Sequence, residues 1–241
     1  MAREIARARD NQAVRTLAVD IGGSGIKVLV LDRSGRPLTV RARVETPSPS
    51  SPEAVLKAIV GLARRQGKFD RVSVGFPGVV REGVTESAPN LDRRWLGFNL
   101  AGQLESRLKK QARVANDADV QGFGAIAGYG VELVVTLGTG FGSALFVDGK
   151  LVPNLELAHH RFERRKTYEE MLGNAARKKA GNGKWNKRLG QAIAALERLF
   201  NYDHLYIGGG NAKKINLRLP PKVKVVPNVA GLLGGIALWR H

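Results

Sequence analysis

The stretch that decides the fold is Thr16–Leu31, TLAVDIGGSGIKVLVL. Two apolar runs flank Gly22, Gly23 and Gly25, with Ser24 among them. Strand, glycine turn, strand is the pattern of a β-hairpin. The P-loop order G-x-x-x-x-G-K-[ST] is absent, and the run from Ile26 reads as a strand rather than the helix that a dinucleotide fingerprint requires. Glycines let backbone N–H groups approach an anion closely, and Ser24 adds a hydroxyl. An ordinary glycine-rich turn has the same local sequence.

A second copy of the pattern, Leu133–Val147 (LVVTLGTGFGSALFV), follows about 115 residues later. Each copy leads into an Asp-containing turn, Asp32-Arg33-Ser34-Gly35 and Asp148-Gly149. The repetition predicts an internal duplication with two α/β lobes. A basic arm at 1–15 precedes an N-terminal lobe at 16–118 and a C-terminal lobe at 119–241. Two matching hairpins, one per lobe, are expected to hold a phosphate chain from both sides of a cleft.

The remaining elements fit that plan. Ser51 caps a helix that starts at Pro52 and carries Val55, Ile59 and Leu62 at helical spacing. Leu38–Val44 resumes β character. Val72–Phe76 reads as a strand closed by Pro77-Gly78, and Arg113–Ala115 as one ending at Asn116-Asp117. Leu100, Leu104 and Leu108 mark a helix, as do Leu189, Ile193, Leu196 and Phe200. Gly122–Gly130 reads as a small-residue helix or turn. His204–Ile207 is a strand running into Gly208-Gly209-Gly210, and Val223–Val226 is a last short strand. Val229–Trp239 is predicted as a final apolar helix able to pack back on the N-terminal lobe.

Composition narrows the chemistry. The chain has 241 residues, 39 Lys and Arg against 21 Asp and Glu, and a formal net charge of +18. Such a surface attracts polyanions. Ten of the basic residues fall in 161–188, beside three acids. The absence of cysteine excludes disulfides and thiolate metal sites, and four scattered histidines do not suggest zinc. No apolar run approaches the ~20 residues of a membrane helix. Residues 1–15 lack the apolar core of a secretory signal, so a cytoplasmic location is expected.

Four further groups can carry chemistry. Asn116-Asp117 ends a strand, where a carboxylate can take a proton from a substrate hydroxyl; it can equally be a turn that caps the next helix. Glu156-Leu157-Ala158-His159 sets a carboxylate and an imidazole three residues apart, able to reach sugar hydroxyls; each can equally be an ordinary surface residue. Gly208-Gly209-Gly210-Asn211 removes side chains where a base or phosphate would lie, or makes a sharp turn. The basic residues of 161–188 form either a solvated face or a track for a long polyanion.

Taken in order, Asp-x-Gly-Gly-Ser-Gly-x-Lys, Pro-Gly-Val-Val, Asn-Asp-Ala-Asp, Leu-Gly-Thr-Gly-x-Gly-Ser, Pro-Asn-x-Glu-x-x-His and Gly-Gly-Gly resemble the motifs of the ROK family of sugar kinases. The Thr-Pro-x-Pro stretch at 46–49 and Pro-Asn-x-Glu at 153–156 look most like its polyphosphate glucokinase branch. The resemblance implies the two-lobed actin-like, ribonuclease-H-like ATPase fold, with the active site in the interlobe cleft. It implies that Asp117 is the catalytic base and that Gly78, Asn90, Asn116, Glu156 and His159 serve the sugar. Glu169 is the choice for a last sugar-binding glutamate, with Glu170 in reserve. It assigns phosphate binding to Asp20, Gly22, Gly23, Ser24 and Lys27 and to Gly138, Thr139 and Gly140, and adenosine contact to Gly208, Gly209 and Gly210.

The expected reaction is phosphoryl transfer from polyphosphate, ATP or both to the 6-hydroxyl of glucose. Mg²⁺ is expected near Asp20, held through water and phosphate; zinc is not. Arg161, Arg164, Arg165, Lys166, Lys178 and Lys179 are expected to meet a longer donor, and a homodimer is the family-based expectation. Ala158 departs from the family, which carries glycine there. The alternatives are a strictly ATP-dependent hexose or N-acetylhexosamine kinase and, more remotely, a nucleic-acid-binding protein, for which no aromatic-interleaved basic motif exists.

Overall fold

The computed structural model describes residues 14–163, 165–227 and 230–240. Most of the expected basic arm, Arg164 and Val229 lie outside these residues. The described chain forms two units. One contains the residues up to Gly124 and those from Gly231 onward; the other is Ala125–Ala230.

In the first unit β1 (Thr16–Gly22) and β2 (Gly25–Leu31) make the expected hairpin, with Gly22 opposite Gly25 across a two-residue tip. β3 (Ala42–Val44) is shorter than the β segment read from the sequence, although Leu38 still donates its N–H to Val30 O at 2.8 Å. α1 (Pro52–Arg64) begins as expected, with the Ser51 side chain accepting the Ala54 N–H. There follow β4 (Arg71–Phe76), the short strands β5 (Val80–Arg81), β6 (Val84–Thr85) and β7 (Phe98–Asn99), then α2 (Leu100–Leu108), β8 (Gln111–Asn116) and α3 (Asp117–Phe123).

The main sheet runs β3-β2-β1-β4-β8, with β1, β4 and β8 parallel and the first two strands antiparallel to their neighbours. Leu17, Val19 and Ile21 of β1 pack on the side of Val55, Leu56, Ile59 and Leu62 of α1. Ala18 turns the other way, joining Leu29, Leu31, Leu232 and Ile236. Burial on both faces explains why these strands read as unbroken apolar runs instead of alternating ones.

The C-terminal segment is not the single helix expected at 229–239. It is a short α-turn, Ala230–Leu233, followed by a 3₁₀ helix, Gly234–Trp239. Gly234 and Gly235 have low helix propensity, and close packing requires them. A Cβ on Gly234 would overlap Val120 O, and one on Gly235 would sit 3.0 Å from Ser73 Cβ. Ser73 Oγ donates to Gly235 O, and Trp239 Nε1 donates to Ser73 Oγ, both at 2.7 Å. The Arg71 and Arg113 guanidinium carbons lie 4.8 and 4.6 Å from the centre of the Trp239 ring. The lobe boundary expected at 118/119 also moves, because α3 packs against β4 and Gly234 and so stays with the first unit. Gly122–Gly130, read as a helix or turn, is both: the end of α3 and then turn structure.

The second unit repeats the first. β9 (Val131–Leu137), β10 (Phe141–Val147) and β11 (Lys150–Val152) form the meander. The small hairpin of β12 (Arg161–Glu163) and β13 (Lys166–Thr167) comes next, then α4 (Tyr168–Leu172), α5 (Asn174–Ala180) and α6 (Asn182–Phe200), then β14 (His204–Gly208) and β15 (Val223–Val225). The order β11-β10-β9-β14-β15 has the same strand directions as the first sheet. Leu133, Val135 and Leu137 pack with Tyr168, Leu172, Trp185, Leu189, Ile193 and Leu196. The hairpin tips differ in length, since Leu137 opposite Phe141 leaves three residues, Gly138–Gly140. Among the described residues, no helix is long and apolar enough to cross a membrane.

Candidate active site

In the first unit the parallel strands bring their C-terminal ends to one edge of the sheet. Asp20 is in register with Gly75, and Gly75 with Ala115. At a strand spacing of about 4.8 Å, Asp20 and Ala115 are about 10 Å apart, and Asp117 follows Ala115 by two residues. Of the two readings of Asn116-Asp117, the helix cap is seen directly. Asn116 is the N-cap of α3, its Oδ1 accepting the N–H groups of Ala118 at 2.8 Å and Asp119 at 3.4 Å. Its Nδ2 donates to Gly78 O at 3.1 Å. The side chain expected to touch sugar is therefore engaged with backbone at both ends, and it presents Asp117 as the first residue of the helix. Gly78 must be glycine because a Cβ would overlap the Ser87 carbonyl. Asn90 lies exposed in the turn before the 3₁₀ helix Arg93–Trp95. Trp95 is core: it is fully buried against Phe76 and Phe98 and donates Nε1–H to Ser50 O.

The first hairpin carries an ion pair between Lys27 Nζ and Asp20 Oδ2 at 2.6 Å, on facing positions of β1 and β2. Two residues brace its tip: Thr46, from the Thr-Pro-x-Pro stretch, and Arg43, which sequence reasoning missed. Arg43 Nη2 donates to Ser24 O at 2.9 Å, and the Thr46 hydroxyl donates to Gly22 O. The only sequence signal for Arg43 was its outward place in a short strand.

In the second unit the tip of the β9–β10 hairpin has a defined polarity. Gly138 O accepts from Asn211 Nδ2 and from the Asn174 N–H, both at 3.1 Å, and Thr139 O accepts from the same N–H at 3.2 Å. In a trans peptide the N–H points away from the preceding C=O. The N–H groups of Thr139 and Gly140 therefore point together to the opposite side, which is the geometry of an anion nest. Gly209 adopts φ +87°, and a Cβ there would lie 2.5 Å from Leu137 O, so only glycine lets this strand end press against the loop. Gly208–Gly210 thus lie beside Gly138–Gly140.

Ser143 Oγ, on β10, accepts the Leu157 N–H at 3.1 Å and donates to Leu155 O at 2.5 Å, which fixes the turn that carries Glu156. Glu156 Oε2 is 3.8 Å from His159 Nε2. Burial pushes the Glu156 carboxyl above the usual glutamate range; nearby His159 opposes this and Glu169 adds to it. The Glu169 carboxylate accepts the Phe141 N–H at 3.3 Å, directly after the glycine loop. Glu170 instead closes a capping box with Thr167. The two glutamates left open by sequence are thereby separated: Glu169 joins Glu156 and the loop, while Glu170 serves the helix start. Ala158 is accommodated where the family carries glycine, because its φ is negative within the 3₁₀ turn Leu157–His159.

The basic segment is spread over several elements. Arg161 and Lys166 are exposed on the β12–β13 hairpin, with Arg165 at its turn. Lys178 and Lys179 are exposed on α5. Arg177, half-buried between them and the glycine loop, is bonded to three asparagines. Among the described residues there is no group of three or more His, Asp or Glu that could hold a metal ion.

Comparison with known proteins bears on the family and the fold. The chain is 32% identical over 232 residues to a polyphosphate glucokinase from Mycobacterium tuberculosis, covering 90% of this chain and 88% of that one. It superposes with a TM-score of 0.84, at 35% identity, on an inorganic polyphosphate/ATP-glucomannokinase from Arthrobacter sp. strain KM, covering 94% of this chain and 100% of that one. A glucokinase from Streptomyces griseus, solved with glucose and AMPPNP, shares the fold with a TM-score of 0.80 at 22% identity, covering 93% of this chain and 98% of that one. The duplicated sheets are those of the actin-like ATPase fold expected from the sequence. The ROK family pattern matches residues 16–156, and with these likenesses it shows that the chain belongs to the ROK family.

Proposed function

We propose that this chain is a glucokinase that transfers a phosphoryl group from inorganic polyphosphate, or from ATP, to the 6-hydroxyl of glucose. The observation that carries this is Asp117, held by the Asn116 cap at the sheet edge where the Asp20–Lys27 hairpin also ends. The names of the relatives support the donor and the sugar.

Asp117 accepts the 6-hydroxyl proton as that oxygen bonds to the terminal phosphorus. The bond from that phosphorus to the rest of the donor breaks, releasing ADP or a chain one phosphate shorter. Glu156, Glu169, His159 and Asn90 orient the sugar, with Gly78 beneath it, while Asn116 holds Asp117 in place. The N–H groups of Thr139 and Gly140, together with Gly22, Gly23, Ser24 and Lys27, hold the donor phosphates, and Gly208–Gly210 carry the adenosine of ATP. Asp20 is one carboxylate already paired with Lys27. Such a donor set suits Mg²⁺ bound mostly by water and phosphate oxygens, not an ion caged by protein. Asp20 would hold the ion indirectly, and the ion would supply neutralisation of phosphate charge. Longer donors would extend toward Arg161, Arg165, Lys166, Lys178 and Lys179. Sugar and donor both point to a cytoplasmic enzyme.

The test is a panel of sugars against ATP and polyphosphates of several lengths with the purified protein. Use of ATP alone would return the ATP-dependent hexose or N-acetylhexosamine kinase reading. Asp117→Asn is expected to lower kcat by at least ~100-fold while leaving glucose binding in place. Near-normal turnover would remove Asp117 as the base.

A further inference from the structure

We propose that Arg177 is the positioning residue of the donor-phosphate loop and sets affinity for the phosphoryl donor; this rests on the donor role assigned above to Gly138–Gly140. Its guanidinium donates from Nε to Asn211 Oδ1 at 3.1 Å, from Nη1 to Asn182 Oδ1 at 3.0 Å and from Nη2 to Asn174 Oδ1 at 3.0 Å. The fork is planar and rigid, so three acceptors at fixed angles lock three chain segments together. These are the start of α5, the start of α6 and the segment after β14.

Two of the asparagines then grip the loop. Asn211 gives its Nδ2–H to Gly138 O and its backbone N–H to Leu137 O, while Asn174 gives its backbone N–H to Gly138 O and Thr139 O. All these bonds pull carbonyl oxygens to the Arg177 side. The Thr139 and Gly140 N–H groups are thereby forced to the other side, where an anion would meet them. Arg177 thus decides which way the peptides of the loop face.

Charge works in the same direction. Among the described residues, every hydrogen-bond acceptor of the guanidinium is a neutral amide oxygen. None of these bonds supplies a carboxylate to cancel the charge, so it stays available to favour a polyanion at the loop. A lysine would keep the charge but lose the three-way brace.

The experiment uses the full chain and three variants. Arg177→Gln removes charge and fork, Arg177→Lys keeps the charge, and Asn211→Ala cuts the link to Gly138 O and the Nε bond while keeping the guanidinium and its charge. Donor KM is measured for tripolyphosphate and for ATP at saturating glucose, and glucose KM at saturating donor. Thermal stabilisation by tripolyphosphate and by glucose is followed in parallel. Arg177→Gln and Asn211→Ala are expected to raise both donor KM values by about 10-fold or more, with glucose KM within about twofold, and Arg177→Lys to fall between. Equal rises in donor and glucose KM, or a lowered Tm with donor KM unchanged, would overturn the proposal and leave Arg177 as a purely structural brace. If Arg177→Gln does not fold, Asn211→Ala makes the same discrimination. A wild-type chain that phosphorylates nothing would sink the kinase reading. The Arg177 proposal would then be decided by the tripolyphosphate-induced shift: its loss in the variants supports it, and its retention overturns it.

Discussion

Replacing Asn116 by alanine separates positioning from sugar contact. The substitution removes the N-cap of α3, where Oδ1 accepts the N–H groups of Ala118 and Asp119. Loss of a cap costs about 1 kcal/mol. It also removes the Nδ2 bond to Gly78 O in a place where Asn116 is only 7% exposed. A buried carbonyl left without its donor costs about 1–3 kcal/mol, so the total is about 2–4 kcal/mol. For a chain of this length each kcal/mol moves Tm by about 2–4 °C, giving a fall of about 4–16 °C. Asn116→Ser keeps an oxygen that can cap but cannot reach Gly78, so it should lose only the second part. Because Asp117 is the next residue, kcat of Asn116→Ala should fall by about 10–100-fold through misplacement of the base. Differential scanning calorimetry and steady-state kinetics on the three proteins make the check. An alanine variant that melts within about 2 °C of the parent, with only glucose KM raised, would show that the amide serves the sugar and that the positioning argument is wrong.

Other perturbations follow from the same contacts. Glu156 must be ionised to accept sugar hydroxyls, and its carboxyl is pushed up by burial, held down by His159 and raised by Glu169. His159→Ala should therefore move the acid limb of kcat/KM for glucose to higher pH and Glu169→Gln to lower pH; a pH–rate profile with no movement, or with reversed signs, refutes this. Burial raises the Asp32 carboxyl, but hydrogen bonds from Ser34 and Arg36 outweigh it and hold the group at about 2. Its folded pKa lies below the unfolded value of about 3.9, so its stabilisation is complete above about pH 4 and lost as pH falls toward 2. Asp32→Asn should lose less stability than the parent over that window in acid titrations followed by circular dichroism, and identical slopes would contradict the assignment. Gly234→Ala would drive a methyl into Val120 O, a backbone atom. It should cost at least about 2 kcal/mol, and an unchanged melting curve would refute the close approach.

The local sequence determined the elements that repeat a simple pattern. The runs Thr16–Leu31 and Leu133–Val147, each interrupted by glycines, specify hairpins because strand period and turn chemistry are properties of a few neighbouring residues. Ser51-Pro52 specifies a helix start for the same reason. The chemistry-bearing residues Asp117, Glu156 and His159 were visible as residue types at motif spacing. Tertiary structure decided what depends on partners distant in the chain. Glu169 and Glu170 are adjacent and identical in type, and only the packing of α4 against the β10 loop turns one to the Phe141 N–H and leaves the other to the cap. The helix expected at 229–239 became a 3₁₀ segment because Val120 and Ser73, more than a hundred residues earlier, demand glycine at the contact. Arg177 looked like one cation in a basic run. Its three asparagine partners come from separate elements, and no spacing rule links position 177 to 211, because a hydrogen-bond network is set by proximity in space.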